Sequence, residues 1–159
     1  MTLMTISLDN LDKHILRLMQ GNSRISNLEL ADQIGLSATP CARRVKRLEE
    51  SGLIKGYVTL LDAEALGLNL TAIIGISMDR HTPGRFEQFE QAIVEMPEVL
   101  ECSIVTGQSA DFLLKVVVRN MRHYEKFLLG KLTKLNGVTG VHSSFVLRQV
   151  VNKTALPLA

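Results

Sequence analysis

The chain has 159 residues, 46% of them hydrophobic and 21% charged, so we expect a folded protein rather than a disordered one. The 18 Lys and Arg residues against 16 Asp and Glu residues leave a net charge of only +2, which excludes a uniformly basic coat protein. No apolar run approaches the roughly 20 residues of a membrane-spanning helix, and the first residues lack the pattern of a secretory signal. We therefore expect a cytoplasmic protein with one domain or two small ones.

Candidate metal ligands and nucleophiles are spread along the sequence without a recognisable grouping. The cysteines, Cys41 and Cys102, and the four histidines show none of the spacings that bind zinc. The sequence also lacks a nucleophile elbow and a phosphate-binding glycine loop. We therefore expect no metal, no cofactor and no enzymatic activity, and we expect Cys41 to pack in a core.

The first part of the chain predicts two short amphipathic helices. Asp9 is the expected N-cap of the first, whose apolar stripe is Leu11, Ile15, Leu18 and Met19. Ser26 and Glu29 have the spacing of a capping box at the start of the second helix. Its apolar stripe is expected to be Leu28, Ala31 and Ile34, and Gly35 is the expected left-handed stop.

A third helix is predicted from a cap at Ser37 to about Ser51, with Pro40 in its first turn and Gly52 just after its end. One of its faces is apolar and is formed by Ala38, Cys41, Val45 and Leu48. Two helices joined by a tight turn that contains glycine are typical of a helix-turn-helix motif. The third helix would then be the one that enters a DNA groove.

Basic residues gather on the other side of this third helix. Arginine and lysine donate to guanine acceptors or phosphates, and hydroxyl groups contact either bases or phosphates. The residues that we predict to bind DNA are Ser37, Thr39, Arg43, Arg44, Lys46 and Arg47. Two other readings remain open at this point, a solvated helix face and a winged helix-turn-helix used for protein docking.

The periodicity changes after the third helix. Residues 53–58 are short and β-prone, and we expect them to form a wing or a connecting strand. We predict a DNA-binding domain at 1–60, a hinge at 61–69, where Gly67 and Asn69 interrupt the pattern, and a second domain at 70–159.

The second domain alternates strands with helices. Strands are predicted at 71–78, 99–105 and 112–118 and within 138–151. One helix begins at Pro83 and ends before Pro97, and the apolar side of the other is Met121, Tyr124, Phe127, Leu128 and Leu132. The order βαββαβ is that of a ferredoxin-like sandwich with two helices on one face of a sheet. The predicted fold class is therefore α+β, a winged helix-turn-helix joined to a ferredoxin-like domain.

The other face of the predicted sheet must also be covered. We expect Ile74, Ile104, Leu114 and Val116 to leave more aliphatic surface there than water tolerates. Pairing with a second copy would cover that face, so a homodimer is predicted. A palindromic DNA site would match its two-fold axis.

Three blocks of the sequence carry a resemblance to a known family. They are residues 8–57, from LDNLDKHILRLM to SGLIKGY, residues 105–118, VTGQSADFLLKVVV, and residues 137–151, GVTGVHSSFVLRQVV. The chain resembles the Lrp/AsnC (leucine-responsive, feast/famine) family of prokaryotic transcription regulators. The resemblance implies a helix-turn-helix, a hinge and a dimerising effector-sensing domain. It also implies that dimers assemble further, often into octamers of four dimers. Double-stranded DNA in the nucleoid is the implied partner.

The resemblance further implies an amino-acid effector held near the loop between the second and third strands. The implied pocket residues are Thr106, Gly107, Gln108, Ser109, Ala110 and Asp111. Asp111 would accept the ammonium group, and backbone amides from Gly107 to Ala110 would approach the carboxylate. Leucine, methionine or a similar amino acid is the expected effector. The alternative is a plain hairpin turn that Asp111 caps.

We therefore predict a sequence-specific DNA-binding transcription regulator whose DNA binding or assembly responds to an amino acid. An architectural protein that coats or bends DNA with little ligand control is the alternative. A small amino-acid-metabolising enzyme is a third hypothesis, although no catalytic grouping in the sequence supports it.

Overall fold

The computed structural model describes residues 7–107 and 109–158 and divides the chain into two compact units. The N-terminal unit contains the chain up to Leu60 and, in addition, the segment from Val151 onward. The sheet unit contains Leu61–Val150. The C-terminal segment therefore packs with the first unit, whereas the sequence placed it in a second domain that runs to residue 159.

Three helices form most of the N-terminal unit: α1 (Asn10–Gly21), α2 (Asn27–Ile34) and α3 (Ala38–Glu50). The first two begin with the predicted caps. Asp9 accepts from the amide of Asp12, Ser26 accepts from the amide of Glu29, and in both cases the second side chain bonds back to form a capping box. Gly35 ends α2 in the left-handed conformation at φ 70°, as predicted.

These helices enclose an aliphatic core, whose fully buried members include Ile15, Leu30, Cys41 and Leu48. Two predictions about the helices are wrong in detail. Leu28 is 72% exposed, because Leu30 instead fills the core position next to Ala31 and Ile34. Ser37 occupies the N-cap position of α3 by its backbone angles, but its side chain makes no capping hydrogen bond.

The predicted strand at 53–58 does not form within the described chain. These residues have no strand assignment, and Tyr57 and Val58 are both at least half exposed. A strand is stable only when a neighbouring strand pairs along its edge. The β propensity of a segment does not show whether such a neighbour exists. The first regular strand begins only at Leu70.

The sheet unit has the predicted order βαββαβ. Its elements are β1 (Leu70–Met78), α4 (Pro83–Val94), β2 (Val99–Ile104), β3 (Phe112–Val118), α5 (Met121–Gly130) and β4 (Val138–Phe145). A single 3₁₀ turn, Leu132–Lys134, follows α5. The strands form one antiparallel sheet in the order β2-β3-β1-β4. This is the topology of a ferredoxin-like sandwich, and the predicted fold class is confirmed.

The core of the sheet unit lies between the sheet and its two helices. Alternate residues of β1 and β3 point into it, and they pack with Phe89, Ile93, Tyr124 and Phe127 of α4 and α5. Met121 lies outside this core and is 54% exposed. The alternation thus puts every second residue of the central strands against the helices.

The predicted uncovered aliphatic face was assigned to the wrong side of the sheet. Ile74, Leu114 and Val116 are fully buried beneath the helices, and Ile104 lies on the edge strand, 57% exposed. The opposite face instead presents partly exposed side chains from the central strands: Ile73, Ser77, Leu113 and Lys115. A continuous apolar run such as residues 72–76 does not reveal which side of a strand meets the helices.

A charged cluster joins the start of β2 to α5. The carboxylate of Glu98 accepts from Nζ of Lys131 at 2.6 Å, and Nε2 of His123 lies 3.8 Å from the same oxygen. Burial raises the pKa of Glu98, but the hydrogen bond from Lys131 and the positive charges nearby outweigh that effect, so the pKa lies below its ordinary value of 4.5. The ionised form of Glu98 therefore stabilises the folded state.

Because the folded-state pKa of Glu98 is lowered, its contribution to stability is present above about pH 4.5 and is lost as the pH falls through the folded-state value. We expect Glu98→Gln to lower the melting temperature at pH 7 and to lower it much less at pH 3. Thermal melts of both proteins across this range measure the difference. A gap of constant size at every pH would contradict the assignment.

Candidate functional site

The basic side chains of α3 fall into two groups with different surroundings. Arg43 and Lys46 lie on the exposed face of the helix together with Thr39. Arg43 makes no ion pair with any described residue, and Lys46 makes one solvent-exposed pair with Glu50 at 3.6 Å. Exposed pairs of this kind are weak and screened by salt, so both cations are available to an external anion.

A shallow depression of about 340 Å³ lies beside these cations. Its walls come from the beginning of α2 and the first turns of α3, and they consist of Asn27, Ala38, Thr39, Ala42, Arg43 and Lys46. The side-chain amide of Asn27 donates to the carbonyl of Ala38 at 2.9 Å, which fixes the start of α3 against α2. The helix start, with its outward amides and exposed Ser37, therefore opens beside two cations, an arrangement that suits an anionic backbone.

Arg44 and Arg47, by contrast, turn toward α1. Arg44 donates through Nη1 to Asp9 at 2.7 Å and to Asp12 at 2.8 Å, and Arg47 donates through Nη2 to Asp12. The carboxylate of Asp12 is almost completely buried, whereas Arg47 remains 53% exposed. A buried carboxylate is costly unless it is paired, so these contacts hold α3 at a fixed position on α1.

The two aspartates affect the ionisation of their partners as well. The backbone amide of Asp12 and the guanidinium of Arg44 lower the pKa of Asp9. Hydrogen bonds to Asp9 and Asp12 raise the pKa of Arg44. Each shift favours the charged form of its group. The sequence did not identify Asp12 as an anchor, because an acidic residue three positions after an N-cap is also what an ordinary capping box contains.

The loop between β2 and β3 is the second candidate site. It is closed at its base by a hydrogen bond from the amide of Val105 to the carbonyl of Asp111, at 3.0 Å. Gly107 turns the chain at φ 82°, a conformation that glycine adopts without strain. Thr106, Gly107 and Ser109 are exposed, Ala110 is buried, and Gln108 lies outside the described residues.

Asp111 anchors this loop to the end of β1. Its amide donates to the carbonyl of Ile76 at 2.7 Å, and its Oδ2 accepts from the amide of Met78 at the same distance. Its Oδ1 lies 2.7 Å from Nε2 of the exposed His81. One carboxylate oxygen therefore holds the backbone, while the other faces a side chain that solvent can reach.

A close approach between loop and strand supports this anchor. A side chain at Gly75 would place its Cβ only 3.1 Å from the Cβ of Ala110, so the loop lies directly against β1. The hydroxyl of Ser77 donates to the carbonyl of Ser109 at 2.8 Å. The roles of Ser77, Met78 and His81 were missed by sequence reasoning, because only the sheet register places the end of β1 beside this loop.

Two kinds of feature, a membrane-spanning helix and a metal-binding cluster, are absent from the described residues. No helix within 7–107 or 109–158 is long and apolar enough to cross a membrane. In the same part of the chain, no three His, Cys, Asp or Glu side chains are grouped so that they could hold a metal ion.

Comparison with known proteins identifies both units. Residues 8–55 match a family model described as winged helix-turn-helix DNA-binding, and residues 71–156 match the Lrp/AsnC ligand binding domain. The chain belongs to the Lrp/AsnC family. It is thus a DNA-binding transcription regulator with an amino-acid-binding domain, and the predicted family and function are confirmed at this level.

Individual members of the Lrp/AsnC family are similar over nearly their whole length. The Bkd operon transcriptional regulator of Pseudomonas aeruginosa is 40% identical over 95% of this chain and 98% of its own. The leucine-responsive regulatory protein of Escherichia coli is also 40% identical, over 94% of this chain and 90% of its own. A transcriptional regulator from Neisseria meningitidis, solved in complex with L-Met, has a TM-score of 0.91 at 38% identity and covers 95% of this chain and 97% of its own.

The burial of Asp12 gives a direct prediction about the Lrp/AsnC DNA-binding unit. Asp12→Ala removes the acceptor for two guanidinium groups, and we expect the free energy of unfolding to fall by about 3 kcal/mol, the lower end for a broken buried pair, because both arginines keep access to water. Denaturant titrations followed by circular dichroism measure the loss.

Asp32→Ala is the matched control for this measurement, since Asp32 is an exposed aspartate on α2. We expect that variant to unfold with the wild type, within about 0.5 kcal/mol. Equal losses in the two variants would show that Asp12 is not a structural anchor.

Proposed function

We propose that this protein binds specific DNA sites through the exposed face of α3 and that an amino acid bound near the β2–β3 loop changes its DNA affinity or assembly. The observation that carries the first part is the separation of the basic residues of α3, with two cations exposed and two paired to α1. In this proposal the protein acts by binding DNA and an effector rather than by catalysing a reaction. Since the proposed partner is chromosomal DNA, the proposal places the protein in the bacterial cytoplasm.

In the proposed complex, α3 lies in the major groove of double-stranded DNA. Thr39, Arg43 and Lys46 contact base edges or phosphates, and Ser37 and the amides at the helix start meet the phosphate backbone. Arg44 positions α3 through its pairs with Asp9 and Asp12. Arg47 shares this positioning role, and its exposed half also faces the phosphates.

Arg43→Ala separates DNA contact from folding. We expect the variant to bind operator DNA more weakly and to reduce the slope of log affinity against log salt by about 1, because one phosphate or base contact by a cation is lost. The melting temperature should not change, since Arg43 has no ion pair among the described residues. Fluorescence anisotropy over a salt series measures both quantities.

Lys126→Ala serves as the control, because it removes an exposed positive charge from α5 in the other unit. If both variants lose the same affinity, general charge attraction accounts for the loss and the proposed role of α3 fails. A random duplex is titrated in parallel, and equal affinity for the operator and the random duplex would favour the architectural alternative.

The effector proposal rests on the geometry of Asp111. One of its oxygens is held by the amide of Met78, and the other faces exposed His81. An α-ammonium group can take the place of the imidazole at Oδ1, while the turn at Gly107 brings backbone amides to the carboxylate. The proposed pocket consists of Thr106, Gly107, Gln108, Ser109, Ala110 and Asp111, and a leucine- or methionine-like amino acid is the proposed ligand.

Asp111→Asn tests this pocket while sparing the fold, because the amide oxygen can still accept from Met78. We expect a screen of the twenty amino acids to find one that raises the melting temperature of the wild type, since a ligand bound only to the folded state stabilises it. The same amino acid should leave the melting temperature of Asp111→Asn unchanged, because the partner of its ammonium group is gone.

Glu125→Gln, which removes an exposed carboxylate from α5, is expected to respond like the wild type. His81→Ala should bind the effector more tightly, because it removes the group that competes for Oδ1. A normal thermal shift in Asp111→Asn would exclude Asp111 from the pocket.

We also propose that the protein is a homodimer that assembles further, as an octamer of four dimers. The support comes from the sheet face opposite the helices, where Ile73 and Leu113 lie partly exposed beside an ion pair between Lys115 and Glu101 at 3.0 Å. A second copy seated on this face would bury both aliphatic side chains.

A further inference from the structure

The backbone of Leu156 is bound to α1 through the side-chain amide of Gln20. The Oε1 atom of Gln20 accepts from the amide of Leu156 at 2.6 Å, and its Nε2 donates to the carbonyl of the same residue at 3.2 Å. Gln20 thus offers one donor and one acceptor to the backbone of one residue, as a neighbouring strand would. A primary amide carries both groups on one side chain, so Gln20→Ala would remove both hydrogen bonds at once.

Two further contacts hold the segment that we call the C-terminal strap, residues 152–158. Arg17, one turn before Gln20, donates through Nη2 to the carbonyl of Leu158 at 3.1 Å. The side chain of Leu158 packs against the core of the N-terminal unit. The side chain of Leu156, in contrast, is 72% exposed, so its backbone rather than its side chain is recognised.

Pro157 lies between Leu156 and Leu158 and restricts the backbone of the strap. The proline ring disfavours helical angles at the residue before it, so Leu156 has fewer backbone conformations to choose from before it binds. Less conformational freedom is therefore lost when the strap docks. The proline also lacks an amide hydrogen, so no donor is left unpaired at this position.

The path of the chain connects the strap to both units. The chain passes from the N-terminal unit to the sheet unit after Leu60 and returns to the N-terminal unit at Val151. The helix that the strap binds is also the helix that carries Asp12, the anchor of Arg44 and Arg47 on α3. The strap, which follows the sheet unit in the chain, therefore contacts the same helix that pairs with α3.

We propose that the C-terminal strap is a releasable second connection between the two units and that its docking on α1 supports high DNA affinity. In the docked state, α1 is held by contacts on two sides, the core and the strap. In the released state, Gln20 and Arg17 of α1 lose their hydrogen bonds to the strap, and the core loses its contact with Leu158. The α3 helix is then held less firmly on α1. The regulatory part of this inference rests on the proposed function, whereas the docking itself does not.

Hydrogen exchange of the full-length protein tests the docking. We expect Leu158→Ala and Gln20→Ala each to speed the exchange of the Leu156 amide and of the second half of α1 by at least about tenfold, because each removes a main contact of the strap. Leu156→Ala is the matched control and should exchange like the wild type, since it keeps the backbone pairing. Unchanged exchange in both Leu158→Ala and Gln20→Ala would overturn the docking.

Operator binding then tests the consequence. We expect Leu158→Ala and Gln20→Ala to bind DNA several-fold more weakly than the wild type and Leu156→Ala, with an unchanged salt slope, because no phosphate contact is lost. Unchanged affinity in variants whose exchange has increased would overturn the regulatory role. If the wild type itself fails to bind DNA, the proposed function fails, while the exchange data still decide whether the strap docks.

Discussion

The buried carboxylate of Asp12 determines how the N-terminal unit is assembled. A charge without water must be paired, and the partners of Asp12 are two arginines on a different helix. Because Asp12 also closes the capping box at the start of α1, its own position is fixed by the backbone. Together with the aliphatic core, this carboxylate holds α3 on α1, and it draws Arg44 and Arg47 rather than Arg43 and Lys46 toward α1.

The sheet unit uses a carboxylate in a related way. Asp111 binds the backbone of β1 with one oxygen and leaves the other at the surface beside His81. This anchor ties the base of the β2–β3 loop to the end of β1. The two oxygens of Asp111 thus face different surroundings, and the proposed pocket uses only the one at the surface.

The predictions that failed share a physical cause. Leu28 and Leu30 lie two positions apart on a short helix, and only the packing of three helices decides which of them is buried. Ile74 belongs to a nearly continuous apolar strand, so alternation gave no indication of which face the helices cover. In both cases the sequence contains enough apolar residues for two arrangements, and contacts far apart in the chain select one.

Local signals in the sequence were sufficient for the order of the helices and of the four sheet strands, though not at residues 53–58, and for the caps at Asp9, Ser26 and Gly35, because a cap depends on residues within one turn. They also separated the two faces of α3, since helical periodicity is itself local. Tertiary structure alone decided that Arg44 and Arg47 bind Asp12, that Asp111 meets the end of β1, and that the chain end returns to α1. These contacts join residues that are 32 to 141 positions apart, and their geometry exists only after the helices and strands have packed.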